Sequence, residues 1–154
     1  MEDKEKKYLL LERQVASLID GETNAIGIMA NVAALLHHEM GWWWTGFYLV
    51  DGDELHLGPF QGPVACFTIK RGRGVCGTAW AEGRTVVVPD VELFPGHIAC
   101  SDRSRSEIVV PMRDSGGNVF AVLDIDSREL ATFDHIDARY LEAIVAQVAK
   151  AIKD

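Results

Sequence analysis

Glu107-Ile-Val-Val-Pro-Met-Arg113, then Asp-Ser-Gly-Gly117, then Asn118-Val-Phe-Ala-Val-Leu-Asp-Ile-Asp126 reads as two strands and the turn between them. Both runs are apolar and rich in β-branched residues, and the four residues from Asp114 to Gly117 are of the types that close a hairpin. A connection this short makes the pair antiparallel, because parallel strands need a long crossover. Within the second strand, Asp124 and Asp126 lie two apart and share a face, with Leu123 and Ile125 opposite. Glu107 opens the first strand. Two carboxylates on one face can hold an ammonium group or donate a proton; a solvated strand end has the same pattern.

The flanking chain extends this hairpin into an α+β pattern. Upstream, Trp43 to Val50 is an aromatic-rich strand, Asp51-Gly52-Asp53 a turn, and Glu54 to Leu57 the start of the return strand. Val64 to Lys70 reads as a further strand, Val75 to Ala81 as a short helix closed by Gly83, and Thr85 to Val88 as a short strand. A long connection, Pro89 to Ser106, follows. Residues 4–20 carry Tyr8, Leu11, Val15, Leu18 and Ile19 on one helical face. A second helix, capped by Thr23 or Asn24, runs to about Glu39. A last one covers residues 134–152, capped by Thr132 or Asp134, with Ile136, Tyr140, Ile144, Val148 and Ile152 in line. The terminal helices cover a sheet or a subunit interface. Residues 1–154 read as one domain, without internal repeats or linkers.

Composition excludes several functions. A net charge of −8 argues against nucleic acid, which demands basic surface. Apolar runs are too short for a membrane span, and no apolar segment follows the charged N-terminus as in a secretory signal. Three cysteines are an odd number for a disulfide framework, which points to reduced thiols in the cytoplasm. Gly72-x-Gly74-x-x-Gly77 fits a dinucleotide-binding fingerprint, but its helix is too short and hairpins follow where crossovers are needed. The glycines read instead as a tight turn and a close strand-to-helix join. Cysteine spacings, and the adjacent His37-His38-Glu39, do not suit a metal site.

Cys66 and Cys76 each read as small core hydrophobes. Cys100 sits in a polar stretch near His97, Arg103 and Arg105, and positive neighbours favour a thiolate. Trp44 and Tyr48 lie four apart on a strand and share a face, as a pocket wall or as core. In Trp42-Trp43-Trp44, at least one of the first two is expected to face solvent or a partner.

Trp44-Thr-Gly-Phe-Tyr48, Gly58-Pro-Phe-Gln-Gly62, Gly74-Val-Cys-Gly77, Phe94-Pro-Gly-His-Ile-Ala-Cys100 and Ser106-Glu-Ile-Val-Val-Pro111 together resemble one family, the free methionine-(R)-sulfoxide reductases built on a GAF domain. The resemblance covers about residues 25–150. It implies a central antiparallel sheet, with the N- and C-terminal helices on one face and a loop-covered pocket on the other. It implies reduction of the free R sulfoxide, without metal or cofactor, in a cytoplasmic homodimer regenerated by thioredoxin. Cys100 matches the family nucleophile, Cys66 the resolving cysteine, and Cys76 a third cysteine with an auxiliary role. Trp44 and Tyr48 match the aromatic wall; Glu107, Asp124 and Asp126 match the pocket carboxylates. Many members carry Asp directly after the nucleophile, where this chain has Ser101 and then Asp102. The competing expectations are a GAF module that binds a small molecule without chemistry, and a thiol redox sensor.

Overall fold

The computed structural model describes residues 3–97 and 103–153. Two hairpins form its centre: β1 (Trp44–Asp51) with β2 (Glu54–Gln61), and β5 (Ser106–Arg113) with β6 (Val119–Ser127). β1 and β6 pair with each other and join the hairpins. β3 (Thr68–Lys70) extends the sheet beyond β2, and β4 (Val86–Val88) extends it beyond β5. The order is β3-β2-β1-β6-β5-β4, and every pairing is antiparallel.

Alternation along the strands divides the core in two. Phe47, Ile108, Val110, Met112, Leu123 and Ile125 point to one face. There they meet α1 (Asp3–Ile19), α2 (Ala25–Met40) and α4 (His135–Lys153). Burying each such large side chain contributes about 1.5–3 kcal/mol. Trp44, Tyr48, Val109 and Val122 point to the other face, which α3 (Gly74–Glu82) partly covers with Val75, Cys76, Ala79 and Trp80. Here the fingerprint glycines find their explanation. A Cβ at Gly77 would lie 2.5 Å from the Lys70 carbonyl oxygen, so only glycine lets α3 approach β3 this closely.

The strand expected over 64–70 shortens to Thr68–Lys70, and β2 runs on to Gln61. Residues 62–67 form an irregular segment instead. Two of its carbonyls are taken by side chains rather than by a strand ladder: Trp44 Nε1 donates to Pro63 O at 3.0 Å, and Tyr48 Oη donates to Cys66 O at 2.9 Å. The long connection is pinned at both ends. Arg105 N donates to Ser127 O at 2.7 Å, and Val91 N donates to Arg105 O at 2.9 Å. Of the tryptophan triplet, Trp42 is buried against Phe133, with ring centroids 5.7 Å apart. Trp43 is half-buried, with the Arg103 and Arg128 guanidinium carbons 5.8 and 5.0 Å from its ring centre. No helix among the described residues is long and apolar enough to cross a membrane.

A polar bolt fastens the first helix to the last. Asp137 is 1% exposed. It accepts from Tyr8 Oη at 2.5 Å, from Lys4 Nζ at 2.7 Å and from the Asp134 backbone at 2.9 Å. Asp134 caps α4, accepting from Ile136 N at 2.9 Å. The Tyr8 and Tyr140 rings stack 5.3 Å apart beside this network. Tyr8→Phe strips one donor from a buried carboxylate. It is expected to destabilise the protein by about 1.5–3 kcal/mol, the range for a hydrogen bond to a charged group. Urea unfolding checks this: the midpoint should fall with an unchanged m-value.

Candidate active site

The face of the sheet away from the terminal helices carries a pocket, and strand register decides what lines it. Trp44 on β1 pairs with Asp126 on β6, and Asp126 pairs with Glu107 on β5. One step along, Gly46 pairs with Asp124, and Asp124 with Val109. Two rows of side chains therefore cross three adjacent strands on one face. Gly46 leaves a gap in the second row. A Cβ there would lie 2.3 Å from the Phe60 Cβ and 2.8 Å from the Trp44 ring, so glycine lets that ring lie flat along the strand. Trp44 stacks on Phe60 at 5.1 Å and on Tyr48 at 5.9 Å, which makes a continuous aromatic wall.

Trp44, Tyr48, Cys76, Glu107, Asp124 and Asp126, named from the sequence as site residues, all line this pocket. The cavity is about 50 Å³, a few times what one water requires, so it suits a small molecule. Cys66 lies at its rim, next to the lining residues Val64 and Ala65, and is disulfide-bonded. Cys100 lies outside the described residues. His97, Ser104 and Arg73 also line the cavity, and sequence reasoning did not assign them to it. Arg73 comes from the turn before α3 and His97 and Ser104 from the long connection before β5, and nothing local in the chain marks their convergence.

The solvated-strand-end reading of the carboxylates does not hold, because Glu107 and Asp124 are each only 6% exposed. Three acids cannot all ionise at this separation in a water-poor site. Burial pushes Glu107 well above the ordinary carboxylate range, followed by the charges of Asp124 and Asp126. Burial also pushes Asp126 well up, then Asp124 beside it, against a 3.2 Å hydrogen bond from Ser104. Asp124 is raised by burial, but hydrogen bonds from Glu107, Cys76 and Asp126 oppose the rise. All three acids are thus raised, Glu107 and Asp126 well above the ordinary range, and the cluster retains protons. Asp124 Oδ1 is nevertheless buried with no donor among the described residues. The Cys76 sulfur and the Glu107 and Asp124 oxygens lie within 4.8 Å of one another, compact enough for a cation. Their surroundings favour shared protons. Burial lowers the His97 pKa, against the pull of Asp124.

The GAF domain family model matches residues 24–153. A GAF domain-containing protein A from Dictyostelium discoideum is 54% identical, over 92% of this chain and 90% of that protein. The Escherichia coli free methionine-R-sulfoxide reductase is 43% identical, over 97% of this chain and 91% of its own length. Among solved structures, the Neisseria meningitidis free methionine-R-sulfoxide reductase in complex with its substrate superposes with a TM-score of 0.95. That match has 51% identity and covers 98% of this chain and 91% of the other.

The carboxylate cluster has a thermodynamic signature. Below about pH 4 the acids are protonated in both folded and unfolded chains. As the pH rises, the unfolded chain ionises first and the fold retains its protons. Stability therefore falls with pH until the raised folded groups ionise too. Glu107→Gln keeps the shape and removes one titration. It is expected to raise Tm at pH 7.5 by roughly 2–4 °C, the effect of about 1 kcal/mol in a domain of this size. Near pH 4 the Tm should be unchanged. Thermal melts at both values check this, and an equal shift at both would remove the cluster as the cause.

Proposed function

The chain belongs to the GAF-domain family, among the free methionine-R-sulfoxide reductases, and on that premise we propose that it reduces free L-methionine-(R)-sulfoxide through a cysteine disulfide cycle. The observation that carries this reading is Asp124 Oδ1, a buried carboxylate oxygen without a donor among the described residues, on a residue that lines a small cavity with Trp44 and Tyr48. An anion there suits the ammonium group of a free amino acid. The aromatic wall suits the methyl end of the side chain. A peptide-bound sulfoxide would have to bury an amide in place of that ammonium.

Sulfoxide oxygen leaves poorly until protonated. Glu107, held neutral by burial and by its two acidic neighbours, supplies that proton in this scheme. The Cys100 thiolate attacks the sulfur of the protonated sulfoxide to form a transient S–S bond, the hydroxyl passes from that sulfur to Cys100 as the S–O and S–S bonds break, methionine departs, and Cys100 is left as a sulfenic acid. Cys66 condenses with it to form a disulfide and release water. That two-electron oxidation of the thiol pair balances reduction of the sulfoxide. An external dithiol, thioredoxin in our reading, then restores both thiols by exchange. The disulfide-bonded state of Cys66 supports its role as resolving cysteine. The whole chain, residues 1–154, is read as one GAF domain acting in the cytoplasm. Homodimerisation is part of the proposal. The exposed Leu10, Leu18 and Ile26 on the first two helices supply apolar surface for it.

Thioredoxin-coupled NADPH oxidation tests the reading, with the free R sulfoxide, the free S sulfoxide and a peptide-bound sulfoxide run in parallel. Turnover is expected with the free R form alone, and Cys100→Ser should abolish it. Asp124→Asn should raise KM for the free R form tenfold or more, since about 1.4 kcal/mol corresponds to tenfold. Full turnover by Cys100→Ser would sink the mechanism. Equal use of the peptide-bound form would sink the role given to Asp124.

A further inference from the structure

Cys66 is disulfide-bonded, and its neighbours in sequence are apolar yet exposed. From Leu55 to Ile69 the chain has no Asp, Glu, Lys or Arg, although 25% of all its residues are charged. Among the described residues, the three most exposed large hydrophobic side chains are Val64 at 88%, Phe67 at 82% and Leu93 at 80%. Val64 and Phe67 bracket Cys66, and Leu93 lies on the long connection that carries Cys100 in the sequence. Single exposed apolar residues are ordinary, but these three fall on the two segments that the disulfide cycle joins. The backbone beside Cys66 is also fixed. Trp44 and Tyr48 donate to its Pro63 and Cys66 carbonyls, and Leu57 N donates to Phe67 O at 2.9 Å. Phe67 is therefore held out in water by an anchored chain.

Resting on the proposed disulfide cycle, we infer that the Val64–Phe67 segment is the docking surface for the regenerating partner, a dithiol protein with apolar surface around its reactive cysteine, which attacks the Cys66 sulfur. A small thiol gains little from an exposed aromatic ring, whereas a protein partner can bury one as an anchor. An uncharged stretch on a chain of net charge −8 suits an apolar contact. The partner's thiolate attacks Cys66 Sγ and forms an intermolecular disulfide, as the bond to Cys100 breaks and Cys100 leaves as a thiolate. Arg103 and Arg105, close to Cys100 in sequence, favour that leaving group. The partner's second thiolate then attacks the partner sulfur of the mixed disulfide and releases Cys66. The two protons of the partner's thiols pass through solvent to Cys66 and Cys100, and the partner is left as a disulfide, oxidised by two electrons.

Reduction of the preformed disulfide tests this without any sulfoxide present. The chain is oxidised with diamide, and its reduction is followed with thioredoxin and, separately, with dithiothreitol. Phe67→Ser changes an exposed side chain, so the fold is expected to be retained. It should slow reduction by thioredoxin about tenfold or more, the loss of one aromatic anchor, and leave the dithiothreitol rate within about twofold. Phe67→Leu should recover most of the thioredoxin rate. A thioredoxin whose second cysteine is replaced by serine should be trapped on Cys66, as located by mass spectrometry. An unchanged thioredoxin rate in Phe67→Ser, equal slowing with both reductants, or a trap on Cys100 would each overturn the inference. So would conversion of a dimer to a monomer by Phe67→Ser, which would give the surface to a second copy of this chain. An oxidised native chain with no disulfide at Cys66 would overturn it as well. If that disulfide forms and is reduced as expected, but free R sulfoxide yields no methionine, the functional reading fails and the two reduction rates still decide the docking surface.

Discussion

Glu107, Asp124 and Asp126 stand side by side on adjacent antiparallel strands, the first two buried and Asp126 half-buried, and that crowding of acids governs the chemistry available to the pocket. Isolated in solvent, each would be an anion at neutral pH. Packed together, they share protons, and the pocket holds a neutral acid beside an anion. A sulfoxide reductase needs both at once: a proton for a poor leaving group, and a negative charge for an ammonium. The register of three strands supplies this pairing without any imported ion. Ser104 donates to Asp126 in this cluster, and the Cys76 sulfur lies within 4.8 Å of the Glu107 and Asp124 oxygens.

Such a cluster opposes folding, and the rest of the domain offsets it. The opposite face of the sheet is apolar and is covered by three helices. The first helix is fastened to the last through Asp137, whose acceptors are filled by Tyr8, Lys4 and the chain at Asp134. The two buried acidic environments are handled in opposite ways. Asp137 has a lysine and a tyrosine and acts as a structural joint. The pocket acids have mainly one another, and Asp124 Oδ1 has no donor among the described residues. The contrast separates a carboxylate that holds the fold together from one available to a ligand.

Much of this was legible in the sequence. The spacing of Asp124 and Asp126 and the short turn at Asp114–Gly117 place both acids on one face of an antiparallel pair. The same period-two logic puts Trp44 and Tyr48 together on β1. It does not reveal that β1 lies next to β6, which is what brings the aromatic wall to the acids. In the sequence Cys66 falls within a strand expected over Val64 to Lys70, bounded by Gly62-Pro63 and by Arg71-Gly72-Arg73-Gly74. The structure gives two carbonyls of that segment to Trp44 and Tyr48, an interaction no local pattern announces. His97 and Ser104 escaped for a related reason, since their proximity to Asp124 and Asp126 depends on how the long connection is pinned. Cys76 reads as an ordinary core residue, and by burial it is one; the approach of its sulfur to Glu107 and Asp124 is a property of the tertiary fold alone.

The pairing of β1 with β6 has a consequence for how the protein comes into being. These strands belong to hairpins from opposite halves of the chain, and each hairpin can form from local contacts while the seam between them must close a long loop. The aromatic wall belongs to the first hairpin and the acids to the second. Neither half-assembled piece carries a pocket, so ligand binding has to wait for sheet closure. A ligand that bridges the seam would act on the late stage of assembly as a template, favouring the closed sheet over the open one.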